Sequence, residues 1–434
     1  MYIKRHLEAQ ILESSKYYPV VMVCGQRQVG KSTMLNQLRE SGRRYVTLDD
    51  MNARRLAEQD PGLFLETYGA PLLIDEFQRV PSLLLEVKRI VDQAALNGEE
   101  ANGRYWLTGS QKFSMMREVS ESLAGRVAVF DLSSLSVSEI EGRPARLFHP
   151  SLEALQERLV ETHPPLQMAA DRGSDAEIAS QFRTAEDSKL KDIHQIFQQI
   201  FRGGMPKLVA TNMDRERYYM DYVNTYLERD IKDLAQVGNL STFYDFLVFV
   251  AARTSGELRY DEIANAIGVS APTAKAWVSI LERSGVVYIL RPYYSNVISR
   301  LVKTPKIYFM DTGLAAYLCR WPSAETLKYG AMDDAFFETW VVSEIVKSYY
   351  NAGKRPDLYY YRDTDKKELD LLIVEGDKLY PIEIKKSKAP AHPDKNFGVL
   401  DKFHLDVQPG IVLCMCDEIL PYNRNTWLVP VSVL

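Results

Sequence analysis

Apolar positions in the first 140 residues fall in short unbroken runs separated by glycine, acidic and other polar residues. Val20, Val21, Met22, Val23 and Cys24 form one such run, the pattern of a strand covered on both faces of a parallel sheet. Arg43 to Leu48, Pro71 to Ile74, Arg104 to Thr108 and the segment VAVFDL from Val127 read as further strands. A short amphipathic helix, Tyr2 to Ser14, precedes the first strand, and Asp49-Asp50 sits where acids cap a helix or approach a nucleotide. These elements predict an α/β domain.

The period then changes. Pro150 to Leu190 is charge-rich and poor in large apolar residues, so it reads as a mobile linker or surface insertion. The sharp turn Phe201-Arg202-Gly203-Gly204-Met205-Pro206 leads to an aromatic-rich helical segment, Tyr218 to Ile231. Phe243 to Arg253, Tyr260 to Ile267 and Ala271 to Arg283 have helical spacing, with the turn Gly268-Val269-Ser270 between the last two and a strand pair in VVYILRPYY. That order is the order of a winged helix. Its second helix offers Thr273, Lys275 and Arg283 to a DNA groove, so DNA contact and a purely structural role both stay open.

Along the predicted helix Asp333 to Tyr350, Glu338 lies in the middle of the stripe formed by Val341, Val342, Ile345 and Tyr349. A carboxylate facing a core needs a metal or a hydrogen-bonded lysine, because an unpaired buried charge is very costly. Glu368 to Val374 and Lys378 to Ile384 then read as two strands joined by Glu375-Gly376-Asp377. A loop centred on Gly376-Asp377 puts Asp370 opposite Glu383, with Lys385 on the same face and Tyr380, Ile382 and Ile384 on the other. Two facing carboxylates with Cβ atoms roughly 5 Å apart repel unless something cationic bridges them. A divalent metal would do so.

The strongest chemical signal follows the first strand. Gly25 to Ser32, GQRQVGKS, fits G-x-x-x-x-G-K-[ST] and opens a helix-compatible segment from Thr33 to Leu38. A polyphosphate needs backbone N–H groups converging at a helix N-terminus, where the peptide dipoles favour negative charge. The predicted nucleotide-binding residues are therefore Gly25, Gln26, Arg27, Gln28, Val29, Gly30, Lys31, Ser32 and Thr33. Lys31 reaches the β and γ phosphates, and Ser32 supplies a hard oxygen for Mg²⁺. The strand Pro71 to Ile74 ends in Asp75-Glu76, the pattern in which one carboxylate holds Mg²⁺ and its neighbour polarises the attacking water. Thr108, Ser110 and Gln111 end another strand, and Ser110 is the choice for sensing the γ phosphate or the water. Arg126 either reaches a neighbouring subunit's site or is an ordinary surface-turn arginine.

Composition narrows the setting. At 434 residues the chain suffices for about three domains, and 46% hydrophobic with 26% charged residues is an ordinary soluble balance. No apolar run approaches roughly 18 residues and the start lacks a signal-peptide pattern, so the expectation is a cytoplasmic protein without membrane contact. Four cysteines, Cys24, Cys319, Cys414 and Cys416, are too few for a disulfide framework, and Ile411 to Cys416 reads as a core strand rather than half a metal site. A formal charge of -5 excludes a polyanion-coating protein, so any nucleic-acid contact must come from a local patch.

GQRQVGKST, LLIDEFQRVP, WLTGSQ and SLAGRV together resemble the prokaryotic AAA-type ATPases that carry a second domain of uncharacterised function. The resemblance covers about residues 1 to 142 and implies a five-stranded parallel core and use of ATP rather than GTP; a homo-oligomer is expected as well. Glu338, Asp370 and Glu383-x-Lys385 resemble the PD-(D/E)XK group of restriction-endonuclease-like metal nucleases, with Leu369 where a proline is usual. That likeness implies Asp370 and Glu383 as ligands of Mg²⁺, or Mn²⁺ in its place, Glu338 as a third acid and Lys385 as the residue that positions the water or stabilises charge on phosphorus. Lys386, Lys388 and Lys395 offer a modest basic rim.

The expected fold class is thus an α/β P-loop NTPase domain (1 to 142), a helical lid and linker (143 to 205), a helical segment with a winged helix (206 to 300) and an α/β nuclease-like domain (301 to 434). The expected function is Mg²⁺-dependent ATP hydrolysis coupled to a C-terminal domain that handles nucleic acid, DNA ahead of RNA. The rival expectation is an ATP-driven switch or scaffold for a protein partner, with that domain inert.

Overall fold

The structure, a computed structural model, describes residues 2–109, 123–162, 191–226, 240–294 and 303–434, apart from 364, 366 and 404. Five strands form the first sheet: β1 (Val20–Cys24), β2 (Arg44–Thr47), β3 (Leu72–Asp75), β4 (Tyr105–Gly109) and β5 (Val127–Asp131). They run in the order β2-β3-β4-β1-β5, and every pairing is parallel. Side chains alternate across the pleat, so Val20, Met22, Cys24, Leu72 and Ile74 feed one buried layer and Val21, Val23, Leu73 and Trp106 the other. Apolar residues on both faces explain why these strands read as unbroken runs. Asp50 is a cap: its carboxylate accepts from the N–H groups of Asn52 and Ala53 at the head of helix Met51–Gln59.

The helix expected across Tyr2 to Ser14 is confined to Glu8–Ser14. Part of the expected linker is also ordered. Leu152–Thr162 is a helix that buries Leu155 and Arg158; residues 163–190 lie outside the described residues. The aromatic segment forms helix Arg215–Tyr226, whose Tyr218, Tyr219 and Tyr222 are buried, and the remainder of the expected span to 231 lies outside the description.

Helices Leu240–Ala251, Tyr260–Ile267 and Ala271–Arg283 precede β6 (Val287–Pro292), which pairs antiparallel with β7 (Lys306–Phe309). The strand pair expected within VVYILRPYY is therefore one strand, and its partner lies further along the chain. Arg291 and Pro292 of β6 also pair in parallel with Tyr359 and Tyr360 of β8 (Leu358–Arg362). The remaining strands are β9 (Glu368–Glu375), β10 (Lys378–Ile384), β11 (Asp406–Val407), β12 (Gly410–Cys414), β13 (Leu420–Asn423) and β14 (Thr426–Pro430). Among the described residues the second sheet runs β13-β14-β12-β10-β9-β8-β6-β7, with β11 beside β10. The boundary expected at residue 300 thus falls inside one continuous sheet.

Lys378 pairs with Glu375 and Ile382 with Leu371, the register that a two-residue Gly376-Asp377 turn dictates. Helix Asp333–Asn351 packs Phe336, Val341, Val342 and Ile345 into a core shared with Val21, Val23 and Tyr219, so a single apolar cluster spans both ends of the chain. Polar anchors fix the same junction. Glu344 accepts from the Val137 N–H at 2.8 Å, and Lys347 donates to Glu344 at 2.8 Å and to the Leu135 carbonyl at 3.2 Å.

The Gly203-Gly204 turn shows how tightly that junction is built. Asp311 accepts from the Gly204 N–H at 2.8 Å, from Tyr219 Oη at 2.7 Å and from the Leu314 N–H at 2.9 Å. A Cβ on Gly204 would stand 2.4 Å from the Leu135 carbonyl oxygen, which is backbone and cannot swing aside. Gly204→Ala is expected to lower stability by about 3 kcal/mol, as overpacking of a filled site does. A urea midpoint indistinguishable from that of the parent would refute this. Among the described residues no helix is long and apolar enough to cross a membrane.

Candidate functional site

The carboxyl end of β1 opens into the glycine loop. Gly25 has φ +145°, and a Cβ there would lie 2.0 Å from the Leu132 carbonyl oxygen, so the chain leaving β5 passes directly against it. Gly30, at φ 91°, sits before helix Lys31–Leu38, whose first N–H groups have no intrahelical acceptors. Lys31 is buried. Its Nζ donates to the Gly25 carbonyl at 2.9 Å and the Gln26 carbonyl at 2.6 Å, which leaves one of three ammonium donors for a phosphate oxygen. Burial pushes its pKa down, against the opposing charges of Glu76, Cys24 and Asp75.

Ser32 Oγ donates to Asp75 Oδ1 at 2.6 Å, so the helix start and the end of β3 converge. Tyr45 Oη reaches Asp75 Oδ2 at 3.1 Å, and Thr108 Oγ1 donates to Asp75 Oδ1. Two hard oxygen donors, Ser32 and Asp75, are thereby held side by side, a set that fits Mg²⁺. Glu76 follows with φ 53° and ψ 40°, a left-handed conformation uncommon outside glycine, so the turn after β3 holds backbone strain at the residue expected to polarise water. Gln78 donates to its carboxylate.

Ser110 lies outside the described residues; Thr108, from the same strand end, is the one seen bonding Asp75. Arg126 pairs with Asp92 at 2.5 Å on its own chain. Val127, the next residue, pairs with Val20 at the amino end of β1, while the glycine loop leaves its carboxyl end. Five strand residues at about 3.3 Å each separate the two, so Arg126 does not reach the phosphate loop of its own chain.

A second polar centre lies in the other sheet. Lys385 Nζ binds Asp370 Oδ2 at 3.1 Å and Glu383 Oε2 at 2.5 Å, and Asp370 Oδ2 also accepts the Ile384 N–H at 2.9 Å. Lys385 thus contacts both acids. Glu383 Oε1 is buried and has no hydrogen-bond partner among the described residues. Burial, then the Asp370 charge, raises the Glu383 pKa; burial also raises that of Glu338, with Lys306 opposing and Asp370 adding.

Glu338 accepts from Tyr308 Oη at 2.6 Å and from Lys306 Nζ at 3.2 Å, and Lys306 also binds Glu368 at 2.6 Å. A lysine, one of the two partners the helix periodicity allowed for Glu338, stands within bonding distance. Lys306 and Tyr308 were missed because nothing near them in sequence marks them; alternate positions of one strand facing Glu338 are visible only after folding. Lys386 of the expected basic rim is bound to Asp333 and Lys388 to Asp417. Cys414 and Cys416 are buried free cysteines, and Cys414 ends β12. Among the described residues no group of three or more His, Cys, Asp or Glu side chains is disposed to hold a metal ion.

One further bond joins the halves. Gln26 Nε2, in the phosphate loop, donates to the Gly285 carbonyl at 2.6 Å, in the turn that feeds β6.

A five-stranded parallel sheet with a phosphate loop after one central strand and an acid pair after its second neighbour defines a P-loop NTPase-like domain, here joined to a helical middle and a C-terminal α/β domain. Residues 17–141 match the family described as AAA domain, which makes this an ATPase domain of the AAA type. Residues 193–325 and 333–434 match two families, DUF8612 and DUF4143, each described as a domain of unknown function. Uncharacterized proteins of Mycobacterium bovis and Mycobacterium tuberculosis are each 27% identical over 394 residues, covering 89% of this chain and 75% of theirs. Among solved structures, a Walker-type ATPase of Pyrococcus abyssi is similar at 14% identity and a TM-score of 0.41, over 72% of this chain and 94% of that one. AMPPCP-bound DnaA from Aquifex aeolicus is similar at 15% identity and a TM-score of 0.24, over 64% and 85%.

Proposed function

We propose that the protein is a Mg²⁺-dependent ATPase whose nucleotide cycle acts on a C-terminal domain that binds and cuts nucleic acid. The observation that carries the ATPase reading is the contact of Ser32 with Asp75 beside the buried Lys31 ammonium. Ser32 and Asp75 would hold the metal, which when bound offsets charge on the β and γ phosphates. Lys31 binds a phosphate oxygen with its remaining donor. Glu76 takes the proton of the attacking water. The Gln26–Gly285 bond connects the phosphate loop to β6, and β6 continues into the second sheet, which gives the nucleotide state a direct route to the C-terminal domain. The three helices and the β6–β7 pair are read as a winged helix, and Arg126 as a finger for a neighbouring copy in a homo-oligomer.

The nuclease reading is supported by the buried, orphaned Glu383 Oε1 beside the partly exposed Asp370, two carboxylates that a divalent cation would bridge, with Lys385 adjacent. Asp370 and Glu383 would hold that cation, which when bound supplies charge stabilisation at phosphorus, and Lys385 would orient water. Purified protein is expected to cleave single-stranded or duplex DNA with Mg²⁺ or Mn²⁺, and to lose at least about 100-fold in rate in Glu383→Ala with Lys385→Ala. Cleavage that survives the double substitution comes from something else and ends this reading. A second reading is favoured by Lys306, which already pairs with both Glu338 and Glu368: an inert acid–lysine centre in an ATP-driven switch that engages a protein partner. Absence of cleavage alongside active ATP hydrolysis selects it.

A further inference from the structure

Arg5 is a positively charged residue with only 3% of its surface exposed, fifteen residues ahead of β1 and outside every motif described above. Its guanidinium makes three bonds in three directions. Nη1 donates to the Val29 carbonyl at 2.7 Å, Nη2 to the Ser133 carbonyl at 2.8 Å, and Nε to Glu139 Oε1 at 2.9 Å. Glu139 is itself fixed by the His6 N–H at 2.9 Å on Oε1 and the Ser136 N–H at 2.9 Å on Oε2. Glu8 steadies the start of the segment, accepting from the Arg5 N–H at 2.7 Å and from Tyr2 Oη at 2.6 Å.

Val29 belongs to the phosphate loop, and its carbonyl shares a rigid planar peptide with the N–H of Gly30. In a trans peptide these two groups point in opposite directions. A guanidinium that holds the carbonyl on one side therefore commits the Gly30 N–H to the other. Gly30, at φ 91°, lacks the Cβ that would resist this orientation. Left alone, a glycine-rich loop samples many peptide orientations, and each amide that must turn toward a phosphate reduces affinity. The planar fork of arginine spans two carbonyls at fixed separation, which the compact lysine ammonium does not reproduce.

We propose that Arg5 is a positioning residue for nucleotide binding: from beneath the loop it orients the Val29–Gly30 peptide so that its N–H faces the phosphates. This rests on the ATPase reading. The test compares Arg5→Lys with Glu139→Gln in the full chain, by KM and kcat for ATP, by affinity for a fluorescent ATP analogue, and by melting temperature. Arg5→Lys keeps a positive charge opposite Glu139 but lacks the fork. It is expected to raise KM and weaken the analogue at least tenfold, with kcat within threefold of the parent. Glu139→Gln removes the ion pair and leaves both carbonyl bonds, so it should lower the melting temperature while KM stays within threefold. A KM in Arg5→Lys within threefold of the parent overturns the proposal, as do KM increases that simply follow the loss of melting temperature in both variants. A parent protein that neither binds nor hydrolyses ATP would instead defeat the ATPase reading, a result separable from these.

Discussion

Replacing Lys31 with alanine is expected to weaken ATP binding by about 100-fold or more, close to 3 kcal/mol, because on the proposed reading it removes the buried ammonium whose remaining donor binds a phosphate oxygen. The direction of its pKa shift adds a second expectation. Desolvation already disfavours the charged Lys31, so the nucleotide-free variant should melt at or slightly above the parent temperature. ATP should then raise the melting temperature of the parent and leave that of Lys31→Ala unmoved, since stabilisation by a ligand requires binding to the native state. Calorimetric titration together with thermal scans with and without ATP checks both. Equal ATP-induced shifts in the two proteins would remove Lys31 from the binding site.

Glu76→Gln should separate binding from chemistry. General-base catalysis contributes roughly 10²–10⁴ in rate, so turnover is expected to fall by at least about 100-fold while affinity for ATP stays within threefold. Glutamine preserves the shape of the side chain and the left-handed turn is set by the backbone, so Ser32, Asp75 and Thr108 should remain where they are. Single-turnover hydrolysis beside equilibrium binding is the measurement. A variant that hydrolyses ATP at the parental rate would exclude Glu76 from activating water, and one that no longer binds would give it a binding role instead.

Much of this was legible because the signals are local. The phosphate-loop pattern is a contiguous stretch with its glycines, Lys31 and Ser32 at fixed offsets, so it is readable without the fold. Helices Tyr260–Ile267 and Ala271–Arg283 match the expected bounds because Gly268 closes the first in a left-handed conformation and Ser270 caps the second. The hairpin register followed from the length of one turn. The strand pair expected in VVYILRPYY failed for the opposite reason: β7 lies beyond residues 295–302, and no local pattern announces it.

The sequence by itself determined the strands of the first sheet, the loop with the phosphate-binding pattern, the acids at the end of β3, and the placing of Asp370 beside the neighbourhood of Glu383. These depend on side-chain period and on contacts a few residues apart. Only the tertiary structure decided that Lys306 and Tyr308 donate to Glu338, that Arg5 underpins Val29, that Gln26 grips Gly285, and that the strands on either side of residue 300 form one sheet. Each of those joins groups far apart along the chain, and a buried charge or amide takes its partner from whatever the packed core brings within about 3 Å.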